Sequence, residues 1–154
     1  MMSRMSRREG RESERRRRAR FSRLVEEAVD DLVAEIKGRR DSGLLSPRLA
    51  ERYLQALKEV AILVADEPDD RQREENEHAD DLLGIYEGVP LTEWAADQAL
   101  LPPRITIFRL ATEALSPSPA RQREEVRKTV KHEVAHHLGW SDQRLHELGL
   151  GDAD

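Results

Sequence analysis

Three residues in one run can do chemistry together: His132, Glu133 and His136, within HEVAHHLGWSD at positions 132–142. Two histidines four apart lie one turn above each other on the same face of a helix, so both imidazoles can reach one cation at roughly 2.0–2.1 Å. Glu133 then stands beside water held by that cation, where a carboxylate can take up a proton. Two His leave a four-coordinate zinc one protein ligand short. Gly139 can adopt the left-handed conformation that ends a helix abruptly, which lets the chain fold back and bring Asp142 to the same metal. Two His and one acid leave the fourth position open to water, the arrangement of a hydrolytic zinc site. His146 is the alternative third ligand, although the spacing after Gly139 favours Asp142. The short motif alone arises by chance at this composition with a probability of about 2%, but Gly at +3 and Asp at +6 lower that to roughly one in ten thousand.

The ligands need a scaffold, and the pattern around them supplies one. Ser118-Pro119 opens a helix whose apolar positions are Val126, Val130, Val134 and Leu138, closed by Gly139. At 100° per residue, His132 and His136 point about 160° away from that apolar stripe, so the helix packs one face and offers the other. Upstream, Leu24, Val25, Ala28, Val29, Leu32, Val33 and Ile36 predict a helix after Ser22 that ends near Gly38. Ser46-Pro47 starts a shorter helix over Leu49, Tyr53, Leu54 and Leu57. Val60–Ala65 reads as a buried strand stopped by Pro68, and Leu83–Val89 and Ile105–Leu110 as two more. The charged stretch 65–81 reads as an exposed loop with some helix, and His78 within it as solvent-exposed. The order helix, helix, three strands, helix predicts an α+β domain: a small mixed sheet of about three strands packed by helices.

Composition narrows the function. A chain of 154 residues holds about one domain. With no cysteine, disulfides, zinc ribbons, iron–sulfur clusters and thiol nucleophiles are excluded, and ligands are restricted to His and carboxylate. The longest apolar run, Val60–Ala65, is far short of the roughly 20 residues of a membrane span. No apolar stretch follows the N-terminal arginines, so neither a secretory nor a twin-arginine signal is expected, and a cytoplasmic location is. The net charge of −5 averages two unlike pieces. Residues 3–23 carry 10 Arg against 3 Glu, a local +7, and residues 24–154 carry 16 basic and 28 acidic side chains, a net −12. Residues 1–20 lack large apolar side chains beyond the initial methionines and are expected to form a disordered or frayed-helix tail, ahead of a domain at 21–154. Without interleaved aromatics, that tail is expected to make no more than weak, non-specific contact with nucleic acid.

HEVAHHLGWSD, read as HExxHxxGxxD, resembles the metzincin branch of zinc metallopeptidases in the version where Asp takes the third ligand place. More closely, the sequence resembles the bacterial minimal zincins, single domains similar to the lower part of a matrix-metalloprotease fold. LLGIYEGVPLTE, LPPRITIFR and RLHELG stand where that family has similar segments, so the resemblance spans about residues 21–150. It implies an α+β domain, a Zn2+ site from His132, His136 and Asp142, and Glu133 as general base. The Met-containing turn of metzincins has no counterpart, since no Met follows Met5.

The activity expected is therefore zinc-dependent hydrolysis of a peptide or protein substrate, with a sheet edge (LGIYEGV or ITIFRL) holding the substrate by strand addition. Tyr86, His137 and His146 are the candidates for a second-shell or oxyanion-stabilising role. His137 points to the Val126 and Val130 side and reads first as a packed or hydrogen-bonded core residue. Trp94 and Trp140 read as packing residues, and Arg144 and Glu147 as local capping or ion-pairing groups. Two other functions share these features: a zinc-stabilised module that binds peptide without cleaving it, and, more distantly, a nucleic-acid accessory protein acting through the Arg-rich segment.

Overall fold

A computed structural model of the chain describes residues 4–88 and 102–151. The first helix, α1 (Arg4–Asp41), is followed by α2 (Pro47–Glu59), β1 (Ala61–Ala65), α3 (Asp70–Glu75), a 3-10 turn at Ala79–Asp81 and β2 (Gly84–Glu87). After residues 89–101 come β3 (Arg104–Phe108), α4 (Arg109–Leu115), α5 (Pro119–His137) and α6 (Asp142–Glu147). The three strands form one mixed sheet in the order β1-β3-β2, with β1 parallel and β2 antiparallel to β3. The architecture is the α+β arrangement of a small sheet packed by helices that the patterning predicts.

The core lies between the sheet and the pair α1 and α5. Leu24, Val25, Ala28, Leu32 and Ile36 of α1 are buried with Val126, Val130 and Val134 of α5, Ala50, Tyr53 and Leu57 of α2, and Ile105 and Ile107 of β3. Both helix starts use the devices read from sequence: Ser46 Oγ accepts from Leu49 N and Ser118 Oγ from Arg121 N, each with Pro in the first turn. Beside the apolar seam runs a charge ladder. Arg123 binds both carboxylate oxygens of Asp31 at 2.6 and 2.7 Å and reaches Glu27 at 3.0 Å. Arg127 pairs with Glu35, and Lys131 Nζ lies 2.9 Å from the same carboxylate. The partners ascend together on both helices, so α1 and α5 run side by side in the same direction.

Several expectations change. Residues 4–20 are the first part of α1, one continuous helix to Asp41, instead of a disordered or frayed tail. The buried stretch from Phe21 onward nucleates the helix, and extension then adds a hydrogen bond per residue. Glu12 pairs with Arg8 and Arg16 and Glu14 with Arg17 at 3.7 Å, adding modest helix support. Two contacts also pin this segment to the body: Arg18 to Asp66 at 2.8 Å, and Glu14 to Arg109. The structured unit therefore starts before Phe21. At its other end α1 runs through Gly38 and stops before Gly43, whose φ is +80°. The 65–81 stretch contains some helix, as expected: α3, opened by a capping box between Asp69 and Gln72. Ile105–Leu110 is not one strand, because β3 ends at Phe108 and Arg109 opens α4. Val89 and Trp94 lie outside the described residues.

Arg109 explains that break. Its side chain is 2% exposed and meets Asp66 at 2.8 Å, Glu113 at 2.8 Å, and Glu14. Arg109 in turn holds the Asp66 carboxyl below its usual 3.8, with Arg18 adding to the effect against the opposing cost of burial. Arg109→Met would leave three partly shielded carboxylates facing one another, with an expected loss of about 3 kcal/mol. Because the folded-state pKa of Asp66 is depressed, its share of stability is present above pH 4 and disappears as pH falls through the depressed value. Urea unfolding at pH 7 and pH 3 should show the gap between wild type and variant narrowing in acid. A gap that stays constant would refute the ion-pair account.

Candidate metal centre

The site is built on the last two turns of α5. Val126, Val130 and Val134 are fully or almost fully buried, which fixes the helix rotation and leaves His132 and His136 on the outer side, 41% and 42% exposed. A second fix comes from α2, where the buried Tyr53 hydroxyl donates to Lys131 O at 2.9 Å, one residue before the first His. The imidazole rings of His132 and His136 are 4.2 Å apart between centroids. Donor atoms of His132, Glu133 and His136 all lie within 4.8 Å of one another.

Gly139 ends α5 with φ +77°. Gly139 N donates to His136 O and Trp140 N to Ala135 O, both at 2.9 Å, the paired bonds that reverse a chain after a helix. Ser141 then caps α6 through Arg144 N, so Asp142 occupies the first turn of a short helix. The reversal carries Asp142 back over the helix it left. Its Oδ1 lies 3.2 Å from His132 Nδ1 and 3.5 Å from His136 Nε2. Donors bound to one zinc at 2.0–2.2 Å in a tetrahedron stand about 3.3–3.5 Å apart, so these separations fit a shared cation. Trp140 packs tilted on Tyr53 at 6.0 Å, behind the donors.

Glu133 is the inward member of the motif, 19% exposed. Burial pushes its carboxyl above the ordinary carboxylate value, opposed by His136 and His132. Tyr86 on β2 closes this side: its Oη is 2.7 Å from His137 Nδ1. Burial, reinforced by the Glu133 carboxylate, pushes the Tyr86 phenol up to about 12, so it keeps its proton at neutral pH. His137 is fully buried, with Nε2 3.5 Å from Glu59 Oε2. His146 lines the cleft together with Asp142. Sequence reading missed the support from Tyr53, and also Lys131 with Glu35; the signal was there in acids at 27, 31 and 35 facing bases at 123, 127 and 131.

A cleft of about 720 Å³ runs from His132, Glu133 and Asp142 along α5 past Thr129 and Lys128. Its opposite wall is Asp81–Gly84, the start of β2, and Leu145 and Leu150 line it from the C-terminal segment. Since β3 is central, β2 is the sheet edge beside the candidate donors among the described residues, and ITIFRL is excluded as that edge. Gly84 lets β2 approach α5: a Cβ there would meet Thr129 Cγ2, Ile107 Cδ1 and Thr106 O, each at 3.0 Å. Gly84→Ala should therefore cost about 1–3 kcal/mol as strand and helix part. Thermal unfolding of the variant tests this, and an unchanged midpoint would show that the wall has slack.

Among the described residues, no helix is long and apolar enough to cross a membrane. No curated protein matches the chain. A family model described as zincin-like metallopeptidase matches residues 57–151, from the end of α2 to the last described residue, and so takes in the sheet, both walls of the cleft and every donor named above. With more than half of its 154 residues matched and His132, Glu133 and His136 converging on one point, the chain belongs to the zincin-like metallopeptidase family.

Proposed function

We propose that the protein is a zinc-dependent peptidase in which His132, His136 and Asp142 hold the metal and Glu133 is the general base. The observation that carries this reading is the meeting of Asp142 with both histidines at 3.2 and 3.5 Å, next to a carboxylate whose pKa burial has raised. Bound zinc supplies Lewis acidity to a water and to the scissile carbonyl. Glu133 takes the proton of the attacking water and delivers it to the leaving amine, and a raised pKa makes its carboxylate a stronger base for the first half of that task. No covalent adduct with the chain is needed.

Tyr86 is the second donor for the oxyanion. Its phenol is protonated at neutral pH and held at 2.7 Å by His137, so its position does not depend on substrate. An extended peptide lies along the side of β2 away from β3, which is the sheet edge among the described residues, with backbone pairing for affinity and the cleft beneath for a side chain. The substrate is then a peptide or an unfolded protein segment, because strand addition needs an extended backbone.

The test is metal content of the purified protein together with cleavage of a mixed-sequence peptide library. One zinc per chain and hydrolysis suppressed by a chelator are expected. A chain that takes up no zinc, or that holds zinc and cleaves nothing across the library, would overturn the reading.

A further inference from the structure

The Arg-rich segment takes no part in the metal centre, and folding it into α1 sorts its charges. At 100° per residue, Arg7, Arg8, Arg11, Arg15 and Arg18 fall within one arc of about 100° on the helix surface. Glu9 and Glu12 lie outside that arc, and Glu14, at its margin, is taken up by Arg109. Arg16, Arg17 and Arg20 lie on the remaining faces. The stripe extends about 16 Å along the axis. Residues 7–20 are exposed throughout except for half-buried Glu14, so the segment stands out from the body as a rod. Its root is fixed by the Glu14–Arg109 and Arg18–Asp66 pairs.

We infer that this stripe docks on the phosphate backbone of duplex DNA. Guanidinium groups pair with phosphate through two parallel hydrogen bonds, and a helix is narrow enough for the roughly 12 Å major groove. The only apolar residue from 7 to 20 is Ala19, so the helix has no face to insert in a lipid surface. The net −12 of residues 24–154 repels a polyanion and confines contact to the rod. The ion pair that Arg8 makes with Glu12 at 3.7 Å is exposed and yields to a phosphate. What the sequence alone presents as a diffuse basic tail thus becomes an oriented array, and the inference stands independently of the peptidase reading.

The experiment is fluorescence anisotropy of a labelled 20-base-pair DNA duplex with the full chain. With Arg18 engaged by Asp66, counting only Arg8, Arg11 and Arg15 as releasing counterions gives log K against log salt a slope near −2.7, about a 40-fold loss from 50 to 200 mM. Arg11→Gln with Arg15→Gln should cut the slope by about two-thirds and weaken binding at least tenfold. Arg16→Gln with Arg20→Gln removes the same charge from other faces and should change affinity less than threefold. Gln propagates a helix almost as well as Arg, and circular dichroism confirms that both variants keep helix content. Equal-length duplex RNA and phosphatidylserine vesicles should bind at least fivefold more weakly. Absence of DNA binding at 50 mM salt, equal losses in the two double variants, or equal or tighter binding to the RNA or the vesicles would each overturn the inference.

Discussion

Glu133→Gln is expected to lower peptide hydrolysis by about 10³-fold or more while zinc content stays at the wild-type level, since positioned acid–base groups contribute 10²–10⁴. The amide has nearly the size and shape of the carboxylate, so the packing of an inward, 19% exposed side chain is preserved. What disappears is the capacity to take a proton from water and return it to the amine. The three proposed ligands are themselves unchanged, and Asp142 Oδ1 meets His132 at 3.2 Å and His136 at 3.5 Å directly. Replacing a carboxylate whose charged form burial disfavours should not lower the melting temperature. Hydrolysis rates on the peptide library, metal analysis and thermal unfolding of the same preparation give three separate readouts. Retained turnover would remove Glu133 from its role. A wild type that binds zinc and peptide yet matches the variant's near-zero rate would instead establish the non-cleaving module.

His136→Ala and Asp142→Asn should each abolish tight zinc binding, and the loss should be visible in stability as well as in metal content. A ligand bound only by the folded state stabilises it by about 4 kcal/mol at a thousand times its Kd. For a chain of 154 residues that corresponds to roughly 8–16 °C in melting temperature between zinc-loaded wild type and either variant, or between wild type before and after chelation. Asp142→Asn is the sharper substitution. It keeps the size of the side chain in the first turn of α6, whose cap is Ser141, so a collapse of the helix does not confuse the result. His146→Ala is the counterpart, expected to leave affinity within about threefold, since Asp142 already meets both histidines. The reverse pattern, zinc lost with His146 and kept without Asp142, would move the third ligand to His146.

The motif was legible because everything that defines it is local. HExxH needs only the 100° rotation of one helix, and the reversal after it needs only a glycine that accepts positive φ. The helices of the core were equally plain, since Leu24 to Ile36 and Val126 to Val134 repeat at the helical period on faces that are buried. Where the reading failed, a partner distant in sequence decided. Arg109 looks like the end of a strand until Asp66 and Glu14, 43 and 95 residues away, draw it into the interior. Residues 4–20 have no apolar face of their own, and two long-range ion pairs with helix propagation from Phe21 account for their order. The ladder of Glu27, Asp31 and Glu35 against Arg123, Arg127 and Lys131 lay between these cases: its four-residue repeat is visible in both segments, but not which segment faces which.

By itself, then, the sequence named the candidate donors, excluded sulfur from among them, and marked the helix that carries two of them and the glycine that ends it. The tertiary structure decided which strand is the edge beside them, that Tyr86 and His137 join at 2.7 Å across 51 residues, and that Asp142 returns to both histidines from the start of α6. The division follows from the range of the forces. Periodicity and capping act within a few residues and are written in order along the chain. The pairing of strands, the burial of an arginine and the closing of a cleft depend on which distant surfaces exclude water together, and that is settled only when the whole chain packs.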